Sequence, residues 1–313
     1  MNIVFLDGAS LPYPMARPAQ ASTWTVREST SQDELIGALA GADVAITNKV
    51  KLGRVQLEQL PNLKLICVAA TGYDCVDVAA CRDLGVTVCN APAYSANSVA
   101  EAVIGSIFAL RRSLFEYRDS ATSRWPTSNH FCVHGTPIQD IKGSTLGIVG
   151  RGDIGSRVAQ LAVGLDINVM FAEHRGAAQV REGYVPFEAM LEEADAISLH
   201  CPLTPQTRHL IGAEQLARMK RGALLINTAR GPLVNEQAVL AALQSGHLGG
   251  AALDVLDVEP PQADHPLLNA ELPNLIVTPH VGWASQSSVA RLVNTLLANI
   301  AAYASDKAIN VVS

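Results

Sequence analysis

The chain has 313 residues, 49% of them hydrophobic, with 23 basic against 29 acidic side chains and a net charge of −6. That length accommodates about two domains of roughly 100–200 residues; the apolar content excludes a disordered chain, and the acidic balance argues against any nucleic-acid partner. No apolar stretch approaches the roughly 18–20 residues of a membrane span, so no membrane partner is expected, and the opening MNIVFLDG reads as a first buried strand of a cytoplasmic protein, not as a secretory leader.

Short β-type runs alternate with helical patterns along the chain. NIVFLD (2–7), DVAITN (43–48), LKLICVA (63–69) and VTVC (86–89) come first, and helical patterns follow the first three. The earliest of these opens at Ser31 with Glu34 three residues on, a capping-box spacing. One long helix is expected over 97–117, then a looser, Pro- and Ser-containing stretch that includes Trp125. The alternation resumes with TLGIVG, INVMFA, AISLH, ALLINT, GAALDV and LIVTP, and a last helix is expected over 284–304. Runs that are apolar throughout suit strands buried on both faces of a parallel sheet. The alternation predicts α/β architecture with doubly wound sheets. Residues 1–96 plus 284–313 are expected to form a substrate (catalytic) domain, with a dinucleotide-binding domain, 97–283, inserted between.

Cys67, Cys75, Cys81, Cys89, Cys132 and Cys201 show no CxxC pair and no zinc-like spacing, so reduced structural thiols are expected and no metal.

The strand TLGIV runs into Gly150-x-Gly152-x-x-Gly155, a helical pattern opens there, and the next strand ends at Glu173. Small residues in such a turn let backbone amides and a helix N-terminus approach a pyrophosphate closely, and an acid about 20 residues on accepts hydrogen bonds from the adenosine ribose. A carboxylate there repels a 2′-phosphate, which favours NAD over NADP; His174 and Arg175, the neighbouring bases, read as solvated loop charge.

Three further strands end in polar residues: Arg230 in INTARGPLV, Asp254 and Glu259 in ALDVLDVEPP, and His280 in VTPHVGWAS. A parallel sheet gathers its ligands beyond the strand carboxyl ends. A guanidinium, a carboxylate and an imidazole collected there suit hydride transfer to a 2-keto acid.

GxGxxG, TARG (Thr228–Gly231), DVxxxEP (Asp254–Pro260) and TPH (Thr278–His280) in this order resemble the D-isomer-specific 2-hydroxyacid dehydrogenase family over essentially the whole chain. The resemblance implies a Rossmann NAD-binding domain inserted into a flavodoxin-like domain. His280 would be the general acid, since imidazole gains and loses protons near neutral pH. Glu259 would orient it and stabilise its protonated form. Arg230 would hold the substrate carboxylate in a guanidinium fork, with backbone amides near Thr71 and Gly72 as further anchors. Asp153 and Ile154 would place amides on the pyrophosphate, Cys201, Pro202 and Thr207 would cover adenine and ribose, and Asp254 would face the nicotinamide carboxamide. Thr228, Ala229, Arg230, His280 and Gly282 complete the implied cofactor set. Arg151, at a position often apolar in the family, would bring charge near the phosphates. HVGWAS, ITNKV and AEHRGA look most like the glycerate dehydrogenase (hydroxypyruvate reductase) branch, which implies hydroxypyruvate or glyoxylate as substrate; a D-3-phosphoglycerate dehydrogenase-like reductase and a nucleotide-sensing corepressor are the alternatives. A homodimer is also implied, with the helix 97–117 at its interface and Trp125 able to reach the neighbouring subunit's site.

Overall fold

Strands form where the apolar runs stand, and helices connect them. The computed structural model describes all 313 residues, Met1–Ser313, as two units, residues 1–95 with 284–313 and residues 96–283.

In the first unit the elements are β1 (Asn2–Phe5), β2 (Thr23–Val26), α1 (Leu35–Ala38), β3 (Val44–Thr47), α2 (Arg54–Leu57), β4 (Leu65–Val68), α3 (Val78–Asp83) and β5 (Thr87–Cys89). The second contains α4 (Ala96–Arg111), α5 (Leu114–Ser123), β6 (Thr145–Val149), α6 (Asp153–Val163), β7 (Asn168–Ala172), α7 (Phe187–Glu193), β8 (Ala196–Leu199), α8 (Ala213–Arg218), β9 (Leu224–Asn227), α9 (Glu236–Gln244), β10 (Gly250–Leu253) and β11 (Leu275–Val277). Helix α10 (Gln286–Tyr303) returns to the first unit and packs on β4.

The first sheet has the order β2-β1-β3-β4-β5, all parallel. This is the doubly wound order 2-1-3-4-5 of flavodoxin-like folds. Strands β3 and β4 are wholly buried, because helices cover both faces of a parallel sheet. On one face Val4, Ala45, Ile66, Val68 and Val88 join a core with Leu35, Leu39, Leu57 and Ala80. Helix α10 buries Val289, Leu292, Leu296 and Ile300, the three- and four-residue spacing of one helix face. Its N-cap, Ser285, accepts a hydrogen bond from the Ser288 amide at 3.3 Å.

The second sheet has the order β11-β10-β9-β8-β6-β7, again all parallel. Counted within the unit this is 2-1-3-4-5-6. An isolated parallel bridge between Ala172 and Val185 stands on the outer edge of β7. It occupies the place of one more strand, and with it the order becomes that of a Rossmann sheet, 3-2-1-4-5-6 with an added edge strand. Successive residues of each strand serve opposite cores, as the two-residue period requires. Leu225, Ala251 and Leu253 pack with α7, α8 and α9, whereas Leu224, Ile226 and Ala252 pack with α4 and α6.

Three expectations change. The first helix begins at Leu35 and not at Ser31, whose amide donates to the Glu34 carboxylate at 3.1 Å in the turn before it. The single helix over 97–117 is two helices, α4 and α5, broken at Ser113, whose φ of +47° no helix sustains. Strand β2, TWTV, was absent from the expected strands because it is an edge strand with an exposed, partly polar face, so it carries no apolar run.

Candidate active site

Each candidate residue of the second unit follows the carboxyl end of a strand. Gly150 follows β6, Glu173 follows β7, and Cys201 lies beyond β8. Arg230, Asp254 and His280 stand beyond β9, β10 and β11, and Glu259 lies in the segment after β10.

At the first strand end two of the three glycines, Gly150 and Gly155, are required by space. Gly150 has φ +101°, and a Cβ there would meet the His200 carbonyl carbon at 2.7 Å and the Cys201 amide nitrogen at 2.8 Å. A Cβ on Gly155 would overlap the Gly150 carbonyl. Gly152 is the N-cap of α6 with no capping side chain and open space where a Cβ would lie. The amides of Asp153 and Ile154 thus begin an eleven-residue helix beside an uncluttered cradle, and helix N-termini of this kind suit a pyrophosphate. These residues fit the dinucleotide. The adjacent loop is closed on itself: the Thr207 hydroxyl donates to the Pro202 carbonyl at 2.7 Å and accepts from the Thr204 amide at 2.7 Å. Burial pushes the Cys201 thiol up to about 11, so the group is a neutral apolar surface there.

Glu173 differs from the open carboxylate that the sequence suggests. It is buried, 3% exposed. Its Oε1 accepts from the His174 amide at 2.8 Å and Arg181 Nη2 at 2.7 Å, and its Oε2 accepts from Arg181 Nε at 2.7 Å and the Arg181 amide at 3.1 Å. The Arg181 fork holds this carboxyl far below the usual range, at about 2. Of the neighbouring bases, His174 is exposed and Arg175 lies 3.9 Å from Glu214. Arg151 lies over the Phe171 ring at 4.6 Å and the Tyr184 ring at 5.6 Å.

At the other strand ends the structure brings two of the catalytic candidates, His280 and Glu259, together. His280 Nδ1 lies 2.8 Å from Glu259 Oε2, and Glu259 Oε1 accepts from the Leu256 amide at 3.0 Å. The second oxygen fixes the first, so the carboxylate cannot rotate away from the ring. His280 has φ +55°, a left-handed conformation that a non-glycine residue adopts only when its surroundings impose it. They do so here. The His280 amide donates to the carbonyls of Asp254 at 2.8 Å and Thr278 at 2.9 Å, and the His280 carbonyl accepts from Trp283 Nε1 at 2.8 Å. Asp254 is buried and accepts from the Thr278 hydroxyl at 2.6 Å and the amides of Val281 at 2.9 Å and Gly282 at 2.8 Å.

The Arg230 turn is set by Asn227, fully buried at the end of β9. Its Nδ2 donates to the Arg230 carbonyl at 2.8 Å and its Oδ1 accepts from the Ala229 amide at 3.1 Å. Gly231 follows because a Cβ there would overlap the backbone of Leu256 and Asp257. The TARG turn and the segment carrying Glu259 therefore touch backbone to backbone. The Thr228 hydroxyl is buried with no partner in the chain.

Thr71 and Gly72 belong to the first unit, beyond β4. The Thr71 hydroxyl donates to the Ala91 carbonyl at 2.9 Å, and Asn90 Nδ2 donates to the Thr71 carbonyl at 2.7 Å. The sequence reading passed over Asn227, Arg181, Ser98, whose hydroxyl donates to the Gly282 carbonyl at 2.6 Å, and Asn299, which donates to the Asn90 carbonyl at 2.9 Å. Asn227 carried a signal, an amide closing an otherwise apolar strand; Asn299, in a helix that also bears Ser287, Arg291 and Thr295, carried none.

Comparison with known proteins identifies the family. Residues 104–282 match the family described as "D-isomer specific 2-hydroxyacid dehydrogenase, NAD binding domain". The chain is 45% identical to the glycerate dehydrogenase of Methylorubrum extorquens, over 99% of this chain and 98% of that protein. It is 33% identical to the hydroxypyruvate reductase of Blautia hydrogenotrophica, over 91% and 89%. The structure of D-lactate dehydrogenase from Aquifex aeolicus complexed with NAD and lactic acid superposes with a TM-score of 0.82 at 27% identity, over 98% of this chain and 96% of that one. The chain belongs to the D-isomer-specific 2-hydroxyacid dehydrogenases, NAD-dependent oxidoreductases that act on the CH–OH group of 2-hydroxy acids.

Proposed function

We propose that the enzyme reduces hydroxypyruvate or glyoxylate to D-glycerate or glycolate, with Arg230, Glu259 and His280 as its catalytic residues. The observation that carries this reading is the His280–Glu259 pair, 2.8 Å apart, in a sheet edge that also bears Arg230. The substrate choice is supported by the likeness to a glycerate dehydrogenase and a hydroxypyruvate reductase.

The Asp153 and Ile154 amides would hold the pyrophosphate of NADH and Glu173 would lie at its ribose, and the bound cofactor would supply the hydride. Glu259 takes the Nδ1 proton of His280 as its hydrogen-bond partner and leaves Nε2 to carry the mobile proton. In reduction His280 gives that proton to the substrate's carbonyl oxygen, which becomes the hydroxyl; in oxidation the neutral Nε2 takes it back. Arg230 holds the substrate carboxylate through two parallel N–H bonds, which fixes the carbonyl relative to His280. The amides near Thr71 and Gly72 are assigned to the same carboxylate. Cys201, Pro202 and Thr207 line the adenosine end, and Thr228, Ala229, Asp254 and Gly282 serve the nicotinamide end, where the buried, unpartnered Thr228 hydroxyl is suited to an amide ligand.

No helix is long and apolar enough to cross a membrane. Six free cysteines suit the cytoplasm, where thiols stay reduced. A homodimer is supported by apolar side chains left in the open around α5, with Leu114 52%, Trp125 53% and Phe131 91% exposed, since patches of this kind commonly mark interfaces; Trp125 is the residue we assign to the neighbouring subunit's site.

Absorbance assays with NADH and a panel of hydroxypyruvate, glyoxylate, pyruvate and 2-ketoglutarate test the reading. The highest kcat/KM is expected for hydroxypyruvate or glyoxylate; a preference for pyruvate or 2-ketoglutarate overturns the substrate, and no turnover on any of the four overturns the reaction.

A further inference from the structure

A carboxylate has about four lone-pair positions, and all four on Glu173 are filled from within the chain: two by the Arg181 guanidinium and one each by the amides of His174 and Arg181. The bonds belong to a built feature. Residues 174–184 leave the end of β7 and return to it, closed by hydrogen bonds from the Glu173 amide to the Val185 carbonyl at 2.8 Å and from the Val185 amide to the Phe171 carbonyl at 2.9 Å. Within this loop the Arg181 guanidinium lies 4.2 Å from the centre of the Tyr184 ring. The Phe171 and Tyr184 rings, 6.2 Å apart, carry Arg151 on the same aromatic pair. Two guanidinium groups therefore stack on one aromatic pair at the strand end assigned to the adenosine ribose, and one of them, Arg181, is bound to the buried carboxylate.

We propose that Arg181 is a specificity-determining residue for the dinucleotide: it masks the Glu173 charge, so that the enzyme binds the 2′-phosphorylated dinucleotide nearly as well as the unphosphorylated one. This rests on the reading of the Gly150–Gly155 loop and Glu173 as the dinucleotide site. An unmasked carboxylate repels a phosphate placed beside it, whereas the fields of a bidentate ion pair largely cancel a few ångströms away. Glu173 is 3% exposed while Arg181 is 55% exposed, so a ligand at this edge meets the guanidinium first. Of the five guanidinium N–H groups, two are spent on Glu173, and the other three are chemically suited to phosphate oxygens. A ribose hydroxyl is served by the same pair, since it can accept from the guanidinium.

The experiment is a calorimetric titration of the full-length enzyme with NADH and with NADPH, at fixed ionic strength, for the wild type and Arg181→Gln. The wild-type ratio of dissociation constants, NADPH over NADH, is expected within tenfold. In Arg181→Gln that ratio is expected to rise at least fivefold, because the uncovered Glu173 carboxylate repels the 2′-phosphate and accepts ribose hydroxyls directly. A wild-type ratio above tenfold overturns the masking without any variant being made, and so does an Arg181→Gln ratio that rises less than fivefold. Failure of the wild type to bind NADH is a different result, which removes the dinucleotide reading itself.

Discussion

The Thr278 hydroxyl donates to Asp254 Oδ1 at 2.6 Å, and this bond ties the end of β11 to the end of β10 just before His280. Asp254 also takes the amides of Val281 and Gly282, so the turn that carries the imidazole is pinned on both sides of its left-handed residue. Beside its assigned place at the nicotinamide end, Asp254 acts on His280 through the backbone, as a positioning residue. Asp254→Asn places an NH2 group against one of these donors. We expect kcat to fall roughly 10- to 100-fold while KM changes less than threefold, measured by steady-state kinetics; an unchanged kcat removes the positioning role.

The His280–Glu259 pair predicts two different losses. His280→Ala removes the mobile proton, and general acid–base catalysis contributes about 10²- to 10⁴-fold, so kcat should drop by that factor with the NADH dissociation constant within threefold of wild type. Glu259→Gln keeps an acceptor for Nδ1–H but removes the negative charge opposite the imidazolium, and a fall of about tenfold to 100-fold is expected. Lost NADH binding in His280→Ala would contradict the assignment.

Gly231 predicts a structural failure with a catalytic signature. Its missing Cβ is what lets the Arg230 turn lie against Leu256 and Asp257. Gly231→Ala must separate the two backbones, and strain of this kind in a packed site costs on the order of 1–3 kcal/mol. The expected result is a lower melting temperature together with a kcat/KM loss of about 100-fold, since Arg230 and Glu259 move apart. Full activity in Gly231→Ala would show that the contact is dispensable.

The fold was legible where burial is two-sided. Strands such as β8 and β9 are apolar throughout because both faces are covered, and the polar residue that ends each run marks the sheet's carboxyl edge. That rule points to Arg230, Asp254 and His280. It could not reach Arg181, because an ion pair between residues eight apart in a loop leaves no period in the sequence; the arginine looks like any solvated base. Nor did it show that Asp254 spends its oxygens on Thr278, Val281 and Gly282, since a strand-end acid is equally consistent with an open ligand site. The break at Ser113 was hidden for a related reason: ALRRSLFEY keeps helical composition through the residue whose φ is +47°.

Asn299 was equally silent, one of two polar residues, with Ser288, among the buried positions of α10. It is fully buried, its Nδ2 donates to the Asn90 carbonyl at 2.9 Å, and its Oδ1 accepts from Asn310 Nδ2 at 2.8 Å. Asn90 in turn donates to Thr71, so the amides near Thr71 are buttressed by the C-terminal helix. Asn299→Ala leaves a buried carbonyl and an amide unpaired, which costs roughly 2–4 kcal/mol. Urea denaturation should show the loss as a lower midpoint; a midpoint unchanged within error removes the buttress.

The last prediction concerns pH. Burial pulls the His200 imidazole down to about 4, and its Nε2 lies 2.8 Å from the Ser198 hydroxyl. The folded chain keeps this ring neutral at pH 6, whereas the unfolded chain protonates it below about 6.5. The unfolded state therefore binds more protons between pH 6.5 and 4, and stability declines as pH falls through that window, by on the order of 1–3 kcal/mol in all. His200→Gln has nothing to titrate there. Melting temperatures measured from pH 7 to pH 4 should fall more steeply for the wild type than for His200→Gln, and the two curves should run parallel above pH 7. Parallel curves across the whole range would mean that the buried imidazole accepts its proton without unfolding the chain.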